Sequence, residues 1–221
     1  MKHIAFYIIV FALIGFSSSC GKEKTKCPSE FVVYGEVNPY QEVYHIGDTI
    51  KLNINSNKMI WDKITEKSYD LSSLKIECAF MIYNLSKEQG NNTISNVTDL
   101  AKVLCDSLYQ PVLHTFSDNS QIYFSNLLFY NDSLINTISF IPIDTGIYML
   151  SYGAFLIEDH QNFPQKCKNS ATTLFTRLNK GRDNNIRLIK NAPNQPFATQ
   201  IISPESKFYE TKSGFAYRVI E

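Results

Sequence analysis

Glycine is scarce in this chain, nine of 221 residues, and a single tryptophan stands beside 13 tyrosines and 15 phenylalanines. Such a balance disfavours a helical bundle and suits half-buried sheets, where rings pack well on a pleated surface. There is no charge excess of either sign, because 21 basic residues face 21 acidic ones. A neutral chain has no global field to draw in nucleic acid or an acidic substrate, so no nucleic-acid role is expected. Beyond the opening segment, no apolar run approaches the roughly 20 residues that a membrane-crossing helix needs.

Catalytic and metal motifs are missing as well. No Cys or His falls at CxxC or HxxxH spacing, and His45, His114 and His160 are far apart, so neither metal nor cofactor is implied. The chain has no GxSxG elbow, no SxxK and no cysteine at a helix start. Glu158 and Asp159 are neighbours, and in a strand neighbours point to opposite faces, so with His160 they make a polar turn. "DSLIN" and "RDNN" lack the alternating oxygen ligands and the glycine of a calcium loop. An enzyme is not expected on these grounds. An exported hydrolase with dispersed catalytic residues stays open as the alternative.

What is present begins at the N-terminus. Met1-Lys2-His3 is a short basic start, and the run from Ile4 to Phe16 is about 13 residues of apolar sequence, the length of a signal-peptide core. Ser17, Ser18 and Ser19 supply small residues for cleavage, and Cys20 stands where the mature chain begins. These residues resemble a bacterial lipoprotein signal of the serine-rich kind found in Bacteroidota, with Ser17 and Ser19 where the common pattern has Leu and Gly or Ala. The resemblance implies a lipidated Cys20. Several acyl chains on one cysteine give stable anchoring to a lipid bilayer, whereas one chain gives marginal binding. Lys22, Glu23, Lys24 and Lys26 then form a charged tether. The expected organisation is a signal at 1–19, a tether at 20–30 and one domain at 31–221 with a loop-rich C-terminal part.

Within that domain, of a size common for one large unit, six runs are β-branched or aromatic: 31–37, 48–56, 73–85, 121–130, 134–143 and 146–157. In the second, Ile50, Leu52 and Ile54 alternate with Lys51, Asn53 and Asn55. Turn clusters such as "HIGD" and "IDTG" separate them. The pattern predicts a mainly β protein, an antiparallel β-sandwich or barrel, with one or two short helices. Thr98 and Asp99 would cap a helix carrying Leu100, Val103, Leu104 and Leu108 on one face, stopped by Pro111. "NSATTLFTRL" suits a second short helix, "NNIRLI" a short strand, the proline-bearing 191–214 an ordered loop or lid, and "FAYRVIE" a closing strand that pairs back into the sheet.

Asp144-Thr145-Gly146-Ile147-Tyr148 resembles the tyrosine corner of immunoglobulin-like sandwiches, in which the phenol bonds nearby backbone and pins a turn. Leu150 stands where that family has a cysteine, so the family's inter-sheet disulfide is missing. With "YHIGDTIKLNI" and the "GFAYRVIE" ending, the chain resembles Bacteroidota surface lipoproteins of no assigned activity. That implies an exported, outer-membrane address facing the cell surface or the periplasm, and a sandwich fold.

Four cysteines remain in the mature chain, and an exported protein with an even number has three possible connectivities. Cys78, in the apolar run "KIECAFMIY", is expected as a buried free thiol. The favoured pair, if one forms, is Cys105 with Cys167. Trp61, in the polar-flanked "NKMIWDKITEKSYD", is either a ligand-contact aromatic on a loop or the cover of one edge of the core. Asp48-Thr49-Ile50, Asp106-Ser107-Leu108 and Asp132-Ser133-Leu134 resemble the short Asp-Ser/Thr-apolar motif that some Bacteroidota O-glycosylate. The leading function class is a binding or accessory module with an envelope protein or glycan as partner.

Overall fold

The computed structural model describes residues 26–86, 96–158, 160–163, 167–192 and 213–221. The signal, Cys20 and most of the tether lie outside the described residues, as does 193–212, the greater part of the expected loop or lid. Among the described residues no helix is long and apolar enough to cross a membrane.

Strands dominate. In chain order they are β1 (Glu30–Asn38), β2 (Val43–His45), β3 (Ile50–Asn57), β4 (Met59–Asp62), β5 (Lys67–Asp70) and β6 (Ile76–Asn84). Next come β7 (Ala101–Cys105), β8 (Val112–Thr115), β9 (Gln121–Asn126), β10 (Leu128–Tyr130), β11 (Ser133–Pro142) and β12 (Gly146–Leu156). The last four are β13 (His160–Phe163), β14 (Cys167–Ala171), β15 (Thr173–Leu178) and β16 (Gly214–Ile220). Among the described residues, two single-turn helices, α1 (Val97–Leu100) and α2 (Arg187–Lys190), complete the secondary structure together with 3₁₀ turns at Ser107–Tyr109 and Asn179–Gly181.

The first sheet is built on β1. Val32 pairs with both Phe175 of β15 and Trp61 of β4, so those strands lie on opposite edges of β1. Gly35 likewise sits between Leu178 of β15 and Ile54 of β3. β3 and β4 therefore form one edge, interrupted at Lys58, and β11 and β5 line its far side. β7 and β10 then pair with the outer edge of β11. The second sheet runs β2-β16-β12-β6-β9-β8, and β13 pairs with β14 as a separate hairpin.

The two sheets bury one apolar layer. Ile50, Leu52 and Ile54 of β3 face inward from the first sheet, and Phe80 and Ile82 of β6 with Tyr148, Leu150 and Tyr152 of β12 face inward from the second, all fully or nearly fully buried. Each such side chain contributes about 1.5–3 kcal/mol over leaving it in water. Tyr217 is the aromatic hub, stacked on Tyr148 at 5.5 Å and on Phe215 at 6.0 Å between ring centres. A polar network crosses this layer: Tyr152 donates its hydroxyl to the Asn136 side-chain oxygen Oδ1 at 2.5 Å. The Asn136 amide donates to Ser125 Oγ at 3.0 Å and to the Asn126 carbonyl at 2.8 Å.

The fold is the expected mainly β sandwich, with four departures. First, two pairs are parallel, β1 with β15 and β2 with β16. Second, the expected helix over 98–110 ends at Leu100, and Ala101–Cys105 is a strand. The outer edge of β11 captures it: Phe140 pairs with Val103 and Ile138 with Cys105, and those ladder bonds outweigh local helix spacing. Third, "NSATTLFTRL" forms the end of β14 and all of β15, because Leu174, Thr176 and Leu178 turn inward at period two. Fourth, "NNIRLI" forms the α2 turn, whose Leu188 and Ile189 pack with Met149 and Ala216 on the outside of the second sheet.

The disulfide also departs from the expected pair. Cys167 joins Cys27, not Cys105, with Cα atoms 5.5 Å apart. The parallel β1–β15 register explains it, since Glu30 opposite Thr173 brings the segments that precede both strands side by side. Thr173 N–H donates to the Ser29 carbonyl at 2.7 Å, and Ser170 Oγ donates to the Pro28 carbonyl at 3.0 Å. Cys105 stays a free, half-buried thiol with Sγ 3.8 Å from the Thr137 carbonyl, and Cys78 is a free, buried thiol.

Candidate functional site

The outward face of the first sheet gathers the exposed polar and aromatic groups. Period two on β1 turns Tyr34, Glu36 and Asn38 outward, while Phe31, Val33 and Val37 enter the core. Register then aligns rows across the strands. Phe175, Val32, Trp61 and Ser68 form one row, and Arg177 stands beside Tyr34. Glu36, Asn53 and Thr137 form another, tied by a 3.0 Å hydrogen bond from Thr137 Oγ1 to Asn53 Oδ1. Asn38, Lys51, Ser139 and Leu104 form a third.

Three shallow depressions lie along this face. The first, about 290 Å³, is lined by Glu36, Asn38, Tyr40, Lys180 and Arg182 among others. The second, about 700 Å³, shares Glu36 and Lys180 with it and adds Tyr34, Asn53 and Asn55. The third, about 550 Å³, begins at Thr137 and Ser139 and ends at Leu104, Asp106 and Tyr109. The Asn53–Thr137 bond is the bridge between the second and the third.

The seven residues Asn179-Lys180-Gly181-Arg182-Asp183-Asn184-Asn185 place the cations at the first of these. Asn179, Lys180, Asn184 and Asn185 all have φ between 53° and 56°, a left-handed conformation that asparagine tolerates better than a long side chain does. Asn179 Oδ1 accepts the Val37 N–H at 2.8 Å, and its amide donates to Asn184 Oδ1 at 2.8 Å. Asn185 donates to the carbonyls of Gln41 and Ala216, both at 3.1 Å. The loop thus fastens β1 of one sheet to β16 of the other, and holds Lys180 strained at the lip shared by two depressions. Lys180 Nζ lies 3.9 Å from Glu36 Oε1. Arg182 lies 5.1 Å over the Tyr40 ring, whose hydroxyl donates to Asp183 Oδ1 at 3.2 Å. Burial first, and then the Asp183 carboxylate, raises the Tyr40 phenol above its ordinary value.

Trp61 is 49% exposed on this face, on strand β4 and not on a loop. Its neighbour Asp62 points the other way and is fully buried. Burial pushes the Asp62 carboxyl up, but hydrogen bonds to it outweigh that and hold it below the usual Asp value. The donors are the N–H groups of Ser29 and Glu30 at 2.9 and 2.8 Å and the N–H and hydroxyl of Thr65 at 2.7 and 2.6 Å.

The remaining sequence candidates are structural. Tyr148 is buried in the core, and its hydroxyl is shared between the carbonyls of Asp144 at 3.0 Å and Thr145 at 3.2 Å. Gly146 has φ +153°, and a Cβ there would meet Ser86 Oγ at 2.9 Å, so the turn needs glycine. Asp48 and Asp106 accept the backbone N–H groups of His45 at 2.7 Å and Leu108 at 2.9 Å, which is ordinary turn capping. Thr49 and Ser107 beside them are exposed, and Ser133 is half-buried. Glu158 and His160 are exposed, and Asp159 lies outside the described residues. Among the described residues no three His, Cys, Asp or Glu side chains gather within reach of one ion.

No protein-family model matches this chain, and no curated protein does. Among solved structures, the reeler domain of human F-spondin aligns at 7% identity and a TM-score of 0.33, over 66% of this chain and 93% of that one. The type II cohesin dyad from the ScaA scaffoldin of Acetivibrio cellulolyticus aligns at 8% and 0.31, over 67% and 46%. The C-terminal domain of the Streptococcus pyogenes antigen I/II-family protein AspA aligns at 10% and 0.29, over 65% and 44%. These alignments assign no ligand to this chain, and the sandwich is established by its own strand register.

Proposed function

We propose that this protein is an exported, Bacteroidota-type lipoprotein of the outer membrane, anchored in the bilayer by an acylated Cys20, whose sandwich serves as a binding or accessory module. The observation that carries the binding role is the outward face of the first sheet, where Tyr34 (46% exposed) and Trp61 stand among amides, hydroxyls and charges. Broad, shallow, ring-bearing faces of this composition suit an extended partner, an envelope protein or a glycan, better than a small molecule that needs enclosure. The Cys27–Cys167 disulfide supports export, because such bonds persist in oxidising compartments. The run from Ile4 to Phe16, the serines and Cys20 support the anchor.

The test is to express the natural chain and Cys20→Ala in the source cells, separate the membranes, crosslink lightly and identify captured partners by mass spectrometry. The natural chain is expected in the outer-membrane fraction with a specific partner, and Cys20→Ala in the soluble fraction. Identical partitioning of both forms would overturn the anchor. Turnover of a defined substrate by the purified protein would overturn the binding role.

A further inference from the structure

The three depressions on the first sheet share one plan. Each has one tyrosine at its rim, Tyr40 in the first, Tyr34 in the second and Tyr109 in the third. Each also combines charged with polar or apolar lining, such as Arg182 with Asn38, Lys180 with Asn53, and Asp106 with Ser139. They follow one another across the strands from the Asn179–Gly181 turn after β15, over β1, β3 and β11, to β7. Four interstrand steps make this track about 19 Å long. A repeated subsite on a straight track fits a ligand that is itself a repeat.

Charge selects among repeats. The whole chain is neutral, yet among the described residues along the track five cations, Lys51, Lys102, Arg177, Lys180 and Arg182, stand against the three carboxylates of Glu36, Asp106 and Asp183. A protein partner would need a contiguous apolar centre, whereas here single rings are separated by asparagines, threonine and serine. Spaced rings stack on the apolar faces of sugars, and amides and hydroxyls pair with sugar hydroxyls.

Resting on the binding role set out above, we propose that this track binds an extended acidic polysaccharide, laid across the strands with sugars stacked at Tyr34 and Tyr109 and its carboxylates toward Lys51, Arg177, Lys180 and Arg182, the last held over the Tyr40 ring.

Affinity electrophoresis of the full chain in detergent tests this with polygalacturonate, its fully methyl-esterified form, hyaluronan and dextran. Retardation by polygalacturonate or hyaluronan is expected to exceed that by the ester and by dextran at least tenfold, and to weaken as salt screens the charges. Tyr34→Ala and the double variant Lys51→Ala/Arg177→Ala change outward-facing side chains only, so their melting curves should match the natural chain while affinity falls about tenfold. Val112→Ala, on the second sheet, should bind as the natural chain does. The proposal is overturned if no acidic polymer retards the protein, if the ester binds as well as the acid, or if the track variants bind unchanged. Crosslinks from the track to an acidic protein, with every polymer ignored, would overturn it in favour of a protein partner. Membrane release of Cys20→Ala is unaffected by any of these outcomes, so a failed anchor and a failed glycan are told apart.

Discussion

Asn179 holds Val37 across 142 residues of chain: its side-chain carbonyl accepts the Val37 N–H at 2.8 Å in a buried corner where both sheets meet. Asn179→Ala removes that acceptor from the buried Val37 N–H and also removes the bond that Asn179 donates to Asn184 Oδ1. The cost of such unmade buried bonds is about 1–3 kcal/mol. Denaturant titration should show the midpoint fall with an unchanged slope.

Lys180 holds φ 56° beside it, a conformation that costs a long side chain about 1–2 kcal/mol and glycine almost nothing. Lys180→Gly should therefore raise stability, by up to about 1 kcal/mol once the added freedom of the unfolded chain is subtracted. It should weaken polygalacturonate binding at the same time. A lower melting temperature for Lys180→Gly would show that the conformation is not strained.

Asp62 is held below the usual Asp value in the folded state, so its contribution is present above the unfolded pKa, about 3.9, and fades as pH falls through the lower folded value. Acid titration of stability should show a loss in that window, and Asp62→Asn should remove it. The variant should also be less stable at neutral pH by about 2 kcal/mol, since an amide cannot accept all four donors. An acid limb unchanged in Asp62→Asn would assign the loss to other carboxylates.

Thiol counting separates the cysteines. Of five in the chain, two are joined, which leaves Cys20, Cys78 and Cys105, and a lipidated Cys20 carries no free thiol. The protein from the envelope, denatured without reductant, should therefore react with two equivalents of maleimide, and three would mean an unmodified Cys20. In the native state Cys105 should react slowly and Cys78 not at all, because burial pushes the Cys78 thiol up to about 12 and also raises Cys105, and Cys78 is buried whereas Cys105 is half-buried. Cys27→Ser should destabilise by up to about 5 kcal/mol, the chain-entropy value for a loop of this length.

The strands with strong period two were legible in the sequence: the runs that became β1, β3, β6, β11 and β12 each bury alternate side chains. β7 was not, because Leu100, Val103 and Leu104 satisfy helical spacing as readily as they satisfy an edge strand, and the deciding partner, β11, lies over 30 residues on. The disulfide was hidden for the same reason, since it follows from a parallel register between β1 and β15 that no local pattern encodes. For the site, Trp61 stood out by its rarity, whereas Tyr34 and Tyr40 were two among 13 tyrosines. "NKGRDNN" did carry a usable signal, asparagines clustered around a glycine. Its contacts with Val37 and Ala216 exist only once both sheets have formed.

The parallel pairs also set a schedule. Phe31 lies opposite Leu174, 174 − 31 = 143 positions later, and Val43 opposite Arg218, 218 − 43 = 175 later. Neither early strand can complete its ladder until nearly the whole polypeptide is available, and contacts of such long separation form slowly. The edge of β1 that takes β15, and the whole of β2, thus stay unpaired until those late strands arrive, so the sandwich is sealed last along its two parallel seams.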